Sequence, residues 1–357
     1  MPTKLVSTYP LGAALLAEFR AIEPDLVYVC AGQTISSGER VNDEAWQCEL
    51  PTFLHEVADA DIVFGSFGGS TEPVTTAMEK RLQVRDGNGG LFRQMMRAAG
   101  NRIRWVHCGA AGVEKMMCPE FLAASVVLTS GKGEPAGLLL AESIMARLLF
   151  YTQQLRPALE THSWEGGRAG RSVEIRGLTM GIVGFGGTGS ALAKLAVAFG
   201  MDVIGTKRRP VAPPPGVRAI WGPEGLDDLL RQSDVVALTM PSTSETRGLI
   251  GLREFGLMKR SAILINVARG DLIQPDALVK ALQDEMIAFA ALDVLPWPEP
   301  WGAEMPLWNC KNALITPHIA GSSDGRAYRS EQMLLENFRR FMRGETLLGV
   351  VDKELQY

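Results

Sequence analysis

Hydrophobic positions along this chain follow two alternating patterns. Short apolar runs bounded by polar residues or glycine predict buried strands of a parallel sheet. Longer stretches, in which apolar residues recur at every third or fourth position, predict helices. The predicted strands are 5–7, 26–30, 61–65, 103–107, 126–129, 179–183, 203–206, 235–239, 262–266, 288–293 and 312–316.

Helices are predicted between many of these strands. The segments 66–90 and 155–178 lack such a pattern, are interrupted by glycines, and are predicted to be loops. The last helix is amphipathic, and we expect its apolar face to pack on the first part of the chain. The predicted helices are 12–22, 136–154, 190–199, 224–232, 252–258, 275–284 and 326–343.

This alternation predicts the α/β class, with doubly wound parallel sheets. A chain of 357 residues, 46% of them hydrophobic, is too long for one simple core, so we predict two domains. The break between them is expected near residue 135, before the long helix that precedes the second set of strands.

A glycine-rich segment directly after the strand at 179–183 fits the G-x-G-x-x-G pattern. Gly184 would allow the tight turn, Gly186 would let a pyrophosphate approach the backbone, and Gly189 would let the following helix pack on the strand. Gly187 and Thr188 lie just before the predicted helix at 190–199, whose N-terminal amides would attract phosphate. The order of strand, turn and helix predicts a dinucleotide site.

The end of the next strand indicates which dinucleotide is bound. An acidic residue there would accept hydrogen bonds from the ribose hydroxyls, but this strand ends in Lys207, Arg208 and Arg209. Cations at this position suit the 2′-phosphate of NADP. Asp202 begins the same strand and is a weaker candidate for the ribose. The alternative interpretation of the three cations is a solvated basic turn.

Three polar residues follow later strands of the second half. Arg269, Glu299 and His318 each come after a predicted strand end, where ligands of parallel sheets bind. Reduction of a 2-keto acid requires a proton donor near neutral pH, which histidine provides, and a carboxylate to orient it. A guanidinium can pair with the substrate carboxylate. Each residue also has a purely structural interpretation, as a helix cap, a solvated loop carboxylate or a buried histidine.

A turn of small residues follows the strand at 103–107. In the segment 109–112, several backbone N–H groups could line one side and hold a carboxylate. An ordinary connection between strand and helix fits the same residues equally well.

Composition narrows the class of protein. The net charge of −4 does not predict a nucleic-acid partner. The five cysteines are scattered, the histidines show no metal-ligand spacing, and residues 1–20 lack a signal peptide, so we expect a cytoplasmic protein without a metal. The most apolar segment, 137–151, contains Glu142 and Arg147 and is too short to span a membrane, which predicts a buried helix.

Together these motifs resemble the D-2-hydroxyacid dehydrogenase family, most closely its glyoxylate/hydroxypyruvate reductase branch. The resemblance covers nearly the whole chain and is strongest in 184–189, 249–251, 266–270 and 316–321. It implies two doubly wound Rossmann-like domains. The dinucleotide-binding domain, 136–322, would be inserted into a discontinuous substrate domain formed by 1–135 and 323–357.

The resemblance also implies roles for individual residues. His318 would be the acid/base with Glu299 as its partner, and Arg269 would bind the substrate. The amides of Ala110, Ala111 and Gly112 would hold the substrate carboxylate, and Asp293 would meet the nicotinamide carboxamide. NADP(H) is the expected cofactor, with NAD(H) as the second choice, in a homodimer. Further cofactor contacts would come from Met240, Pro241, Ser242, Thr246, Val267 and Ala268.

One departure and three alternatives remain. Glu299 stands one position later than the family glutamate, at which this chain has Pro298. A nucleotide-sensing corepressor keeps the same fold, but such proteins usually carry low-complexity tails, which this chain lacks. Phosphoglycerate oxidation is disfavoured because no regulatory domain follows residue 357. Formate oxidation is disfavoured because no glutamine lies within 293–300.

Overall fold

The computed structural model describes residues 2–30, 50–65, 90–161, 172–297 and 302–357. They form two compact units. The first unit comprises Met1–Pro135 and Asp324–Tyr357, and the second unit comprises Ala136–Ser323. No helix among the described residues combines the length and the apolar character needed to cross a bilayer.

Each unit is built on one sheet, and every strand pairing within the two sheets is parallel. The predicted fold class, two parallel-sheet α/β domains, is therefore confirmed. The strands are β1 Lys4–Ser7, β2 Val27–Cys30, β3 Ile62–Gly65, β4 Trp105–Cys108, β5 Val127–Ser130, β6 Thr179–Val183, β7 Asp202–Thr206, β8 Val217–Trp221, β9 Val235–Leu238, β10 Ile263–Asn266, β11 Phe289–Leu292 and β12 Ala313–Ile315.

Helices connect most of these strands, as parallel pairing requires. Among the described residues they are α1 Ala13–Ile22, α2 Leu50–Val57, α3 Gly90–Ala99, α4 Pro119–Ala123, α5 Glu134–Thr152, α6 Leu155–Thr161, α7 Gly187–Ala198, α8 Leu226–Gln232, α9 Leu252–Leu257, α10 Pro275–Gln283 and α11 Arg326–Met342.

The first unit has the strand order β2-β1-β3-β4-β5. Its core continues into the last helix of the chain, because the Phe19 ring of α1 stacks on the Phe338 ring of α11 at a centroid distance of 4.4 Å. Both rings are fully buried. The predicted packing of the C-terminal helix on the first part of the chain is therefore confirmed.

The second unit has the strand order β12-β11-β10-β9-β6-β7-β8. The chain runs outward from β6 to β8 and then crosses to β9 on the other side of β6. The order therefore reverses between β6 and β9, and ligands of doubly wound sheets bind beyond the carboxyl ends of the strands at such a point. The central strands are buried along their whole length, which explains their continuous apolar runs.

Several elements differ from the sequence-based expectation, and the helices α2, α3 and α4 of the first unit were not predicted at all. Strand β8 was not predicted, because it lies at the sheet edge and mixes buried with exposed residues. Helix α6 lies within the predicted loop 155–178, so that prediction was wrong for its residues. Arg156 bonds Glu160 one turn later at 2.7 Å and donates to the carbonyl of Ala313, a tertiary contact that no local pattern reveals. Most of the other predicted loop, 66–90, lies outside the described residues.

A buried histidine on strand β4 of the first sheet links stability to pH. His107 Nδ1 lies 2.9 Å from Thr129 Oγ1, which also accepts the Trp105 indole N–H at 2.8 Å. Burial lowers the pKa of His107 to about 4. Between pH 6.5 and 4 the unfolded chain therefore binds a proton at this residue that the folded chain does not, so stability falls as the pH falls.

We predict that His107→Gln reduces this acid sensitivity. Glutamine can still contact Thr129 but cannot become charged. From pH 7 to pH 5, the wild-type free energy of unfolding should fall by about 2 kcal/mol more than that of the variant. Urea unfolding of both proteins at the two pH values measures the difference, and parallel losses would show that His107 titrates normally in the folded state.

Candidate active site

The glycine-rich turn after β6 has little space for side chains at two of its glycines. Gly184 has φ +102°, and a Cβ there would lie 2.6 Å from Met240 Cβ and 2.8 Å from its backbone nitrogen. A Cβ on Gly189 would lie 2.7 Å from the Gly184 carbonyl oxygen. The first glycine therefore permits the turn and the contact with Met240, and the last permits α7 to pack against the turn.

The middle glycine differs, because a Cβ on Gly186 would lie more than 4 Å from every described residue other than Gly186 and its two chain neighbours. The first backbone bond of α7 runs from Ser190 N–H to the Gly186 carbonyl at 2.9 Å. The amides of Gly187, Thr188 and Gly189 lie in the helical turn before that bond, where helices bind anions. The open space at Gly186 adjoins this set of amides.

The tip of β7 carries the three predicted cations. Lys207 is half-buried, whereas Arg208 and Arg209 are exposed. Arg208 Nη2 donates to Glu245 Oε1 at 2.8 Å. Asp202, the alternative ribose acceptor, begins the strand about 13 Å from its tip by the usual rise per residue. Its carboxylate accepts from Arg218 Nε at 2.8 Å, so Asp202 is held at the wrong end of the strand for the ribose.

The loop after β9 is held by its own hydroxyl groups. Thr246 Oγ1 donates to the Pro241 carbonyl at 2.8 Å, and Ser242 Oγ donates to Asp271 Oδ2 at 2.7 Å. Thr246 therefore shapes the loop from within, and Ser242 links the loop to the segment after β10. The predicted cofactor contacts of Pro241, Ser242 and Thr246 remain predictions.

Arg269 follows β10 on a loop that a buried amide holds in place. Asn266 is fully buried, its Nδ2 donates to the Arg269 carbonyl at 2.8 Å, and its Oδ1 accepts the Ala268 N–H at 3.0 Å. The side chains of Val267 and Ala268 pack into the hydrophobic core, and the Ala268 carbonyl accepts Arg269 Nη1 at 2.7 Å. The predicted cofactor contacts of Val267 and Ala268 remain predictions. Arg269 itself is half-buried.

The loops after β10 and β11 lie against each other. A Cβ on Gly270 would fall 1.8 Å from the Leu295 carbonyl oxygen, so only glycine fits here. Trp297 is partly buried and packs against the hydrophobic core of the second unit. Glu299, the predicted partner of His318, lies outside the described residues.

His318 is an exposed residue on a turn that Asp293 organises. Its φ is +51°, in the left-handed region that non-glycine residues rarely adopt. Three consecutive amides donate to Asp293: His318 N–H to the carbonyl at 3.0 Å, Ile319 N–H to Oδ1 at 3.1 Å and Ala320 N–H to Oδ2 at 2.8 Å. Asp293 is 1% exposed. Its predicted contact with the nicotinamide remains a prediction, and the structure shows that its carboxylate anchors the His318 turn.

Sequence reasoning missed the cation that faces Asp293. Arg147 Nη2, on α5, donates to Asp293 Oδ1 at 2.8 Å and to Thr316 Oγ1 at 2.6 Å. Burial lowers the pKa of the Arg147 guanidinium, and the Asp293 charge acts in the opposite direction. The sequence did contain an indication of this contact, because an arginine within the most apolar segment of the chain, 137–151, requires a buried partner.

In the first unit, the turn after β4 presents its carbonyl groups to one side. The Gly131 N–H donates to the Cys108 and Ala110 carbonyls, each at 3.0 Å. A trans peptide points its C=O and the next N–H in opposite directions, so the Ala111 N–H points away from Gly131. Gly112 is buried, whereas Ala110 and Ala111 are half-buried. This orientation is compatible with the predicted carboxylate site.

Within the second unit, the described candidate residues share one sheet edge. Arg269 follows β10 and His318 follows β12, the two strands that flank β11, so the strand ends lie about 10 Å apart by ordinary strand spacing. The glycine turn follows β6 at the point of strand reversal. No group of three or more His, Cys, Asp or Glu side chains able to hold a metal occurs among the described residues.

Comparison with known proteins agrees with this geometry. The model of a family described as "D-isomer specific 2-hydroxyacid dehydrogenase, NAD binding domain" matches residues 143–320. The chain belongs to the D-isomer specific 2-hydroxyacid dehydrogenase family. The matched segment includes the glycine turn, Arg269, Asp293 and His318. The family resemblance inferred from the sequence is confirmed.

Individual relatives support the family assignment. Over 186 residues this chain is 40% identical to a glyoxylate reductase from Aeropyrum pernix, and the aligned part covers 51% of this chain and 54% of that protein. The chain thus spans about half the length of the curated relatives it matches.

Solved structures of the family extend the likeness to the whole chain. One, from Aeromonas salmonicida, covers 99% of both chains at 26% identity with a TM-score of 0.73. Another, from Xanthobacter autotrophicus in complex with NADPH and MES, covers 100% of both chains at 25% identity with a TM-score of 0.74.

We predict that Gly186→Ala in this family member weakens nucleotide binding without unfolding the protein. The new methyl group would clash with no described residue but would lie beside the amides that are predicted to bind phosphate. The Kd for NADPH should rise about tenfold or more, or about 1.4 kcal/mol. Gly256→Ala is the matched control, since its Cβ also has open space. Titration calorimetry measures both, and equal Kd values would place the phosphates elsewhere.

Proposed function

We propose that this protein is an NADP(H)-preferring reductase of small 2-keto acids, of the glyoxylate or hydroxypyruvate type. The observation that carries the proposal is the shared sheet edge of the second unit. A guanidinium and an imidazole follow β10 and β12, and the same sheet carries the dinucleotide turn after β6. The Aeropyrum pernix relative is a glyoxylate reductase, which supports the substrate class.

The residues suit the chemistry of keto-acid reduction. Bound reduced nicotinamide would supply the hydride for the keto carbon. His318, exposed on its anchored turn, would give a proton to the carbonyl oxygen as that oxygen gains charge. Arg269 would pair with the substrate carboxylate and polarise the carbonyl. Glu299 would orient the His318 ring, and the amides of 110–112 would provide a second site for the carboxylate.

The preference for NADP(H) rests on the tip of β7. Lys207, Arg208 and Arg209 offer positive charge at the position where NAD-binding sheets place a carboxylate. The Xanthobacter autotrophicus relative binds NADPH, which supports the same cofactor class. Glu245 already holds Arg208, so a 2′-phosphate would compete with this carboxylate for the guanidinium. NAD(H) would therefore remain the second cofactor.

The remaining expectations follow the family resemblance. We expect a homodimer in the cytoplasm that acts on a small keto acid, without a nucleic-acid or membrane partner. The binding-protein alternative makes the opposite prediction for turnover, which the assays below measure.

We predict that neutralising the β7 tip changes cofactor preference. Lys207→Gln with Arg208→Gln should raise the KM for NADPH about tenfold or more and leave the KM for NADH within about twofold, because only NADPH has the 2′-phosphate. Glu245→Gln should lower the KM for NADPH, since it releases Arg208. Steady-state kinetics with both cofactors measures these values.

Arg253→Gln is the control for these charge changes, because it breaks a surface ion pair between Arg253 on α9 and Asp227 on α8. Its KM values should match wild type. Equal effects of the double variant on NADPH and NADH would remove the role of the β7 tip in recognising the 2′-phosphate.

We predict that His318→Ala lowers kcat by about 10² to 10⁴, because it removes the proton donor. The Kd for NADPH should stay within about threefold of wild type. Glyoxylate, hydroxypyruvate and a bulkier 2-keto acid form the substrate panel. A near-normal kcat would exclude His318 as the donor, and a wild-type protein that binds NADPH but turns over no acid would favour the binding-protein alternative.

A further inference from the structure

The backbone conformation of His318 depends on the turn around it. Its φ of +51° is unfavourable for a residue with a side chain and persists only where the surroundings impose it. The contacts that impose it are the three consecutive N–H groups of residues 318–320, all donated to Asp293. The direction in which the imidazole leaves the backbone is therefore set by the position of Asp293.

Burial of the Asp293 carboxylate is itself unfavourable in free energy. Its side chain is 1% exposed, and backbone amides offset only part of the cost of removing a carboxylate from water. The full positive charge against it comes from Arg147, whose side chain is 9% exposed. Arg147 Nη2 reaches Asp293 Oδ1 at 2.8 Å and also Thr316, whose hydroxyl donates to the same carboxylate oxygen.

Arg147 is also held by a contact within its own helix. Its Nη1 donates to the Ser143 carbonyl at 3.0 Å, within α5. Its Nε is buried with no hydrogen-bond partner among the described residues. Burying an arginine with one donor unpaired is costly, and buried ion pairs add little net stability compared with apolar packing. The pair is therefore better explained by the geometry that it imposes on the turn.

We propose that Arg147 is a positioning residue for the reaction: through Asp293 and Thr316 it holds the 316–320 turn so that His318 presents its imidazole in the orientation required for proton transfer. The proposal rests on the reductase function proposed above. Arg147 itself touches neither substrate nor cofactor in this role. It acts from a helix that precedes the dinucleotide turn in sequence.

The test compares four variants with wild type. Arg147→Met removes the charge and both contacts, Arg147→Gln keeps a neutral donor, and Arg147→Lys keeps the charge. Arg156→Met is the matched control, because Arg156 donates to the carbonyls of Lys311, before β12, and of Ala313, at the start of β12, without touching Asp293. Each variant is assayed for kcat and for the KM of NADPH.

The expected result separates kcat from cofactor binding. Arg147→Met and Arg147→Gln should lower kcat about hundredfold, the usual effect of displacing a catalytic group by about 1 Å. The KM for NADPH should stay within about threefold. Arg147→Lys should recover most of the lost kcat, and Arg156→Met should match wild type.

Hydrogen exchange can be measured without turnover, so it tests the positioning role of Arg147 separately from the proposed reductase function. Hydrogen exchange of the peptide covering 316–323 should be slow in wild type, Arg147→Lys and Arg156→Met, and faster in Arg147→Met. If wild type shows no turnover, the reductase function fails while the exchange rates still test the turn.

Three outcomes would overturn the positioning role. The first is wild-type kcat and exchange in Arg147→Met. The second is an equal loss in Arg147→Met and Arg156→Met, which would indicate general destabilisation of β12. The third is equal activity in Arg147→Gln and Arg147→Lys, which would show that the charge is not required. The last comparison remains valid even if Arg147→Met does not fold.

Discussion

One buried residue, Asp293, holds together the loops at the carboxyl-end edge of the second sheet. The Asp293 N–H donates to the Asn266 carbonyl at 2.9 Å, and the Asp293 carbonyl and carboxylate accept the amides of the turn after β12. Arg147 ties it to α5. Breaking such a buried pair from one side typically costs about 3–5 kcal/mol, because a charge is left uncompensated. The loops after β10, β11 and β12 therefore share one anchor.

The dinucleotide turn depends on a different constraint, namely space. Two of its glycines are surrounded by protein atoms, and the glycine between them faces open space. Gly184 and Gly189 are closely packed, whereas Gly186 borders open space beside the helix N-terminal amides, which favour negative charge. The chemical preference of the site then comes from its neighbours. Under the proposed function, the cations at the tip of β7 would select the 2′-phosphate of NADP, and Glu245, which holds Arg208, would limit that selection.

The sequence predicted those features that arise from local pattern. Buried strands such as β9 and β10 are continuous apolar runs, and the G-x-G-x-x-G turn has a fixed order of strand, turn and helix. Features that arise from tertiary contacts were not predictable in this way. Strand β8 lies at an edge and has no apolar run, and α6 depends on contacts between Arg156 and a distant strand. Arg147 was visible as a charge in an apolar helix, but its partner lies 146 residues away.

The central claim is that this sheet edge supports hydride transfer to a 2-keto acid. The most direct measurement is to incubate the protein with glyoxylate and NADPH deuterated on one face or the other of nicotinamide C4, followed by mass spectrometry of the 2-hydroxy acid. Transfer of one deuterium to C2, from only one of the two labelled cofactors, is the predicted result. Binding of NADPH with no label in the product, for glyoxylate and for every other 2-keto acid tried, would contradict it.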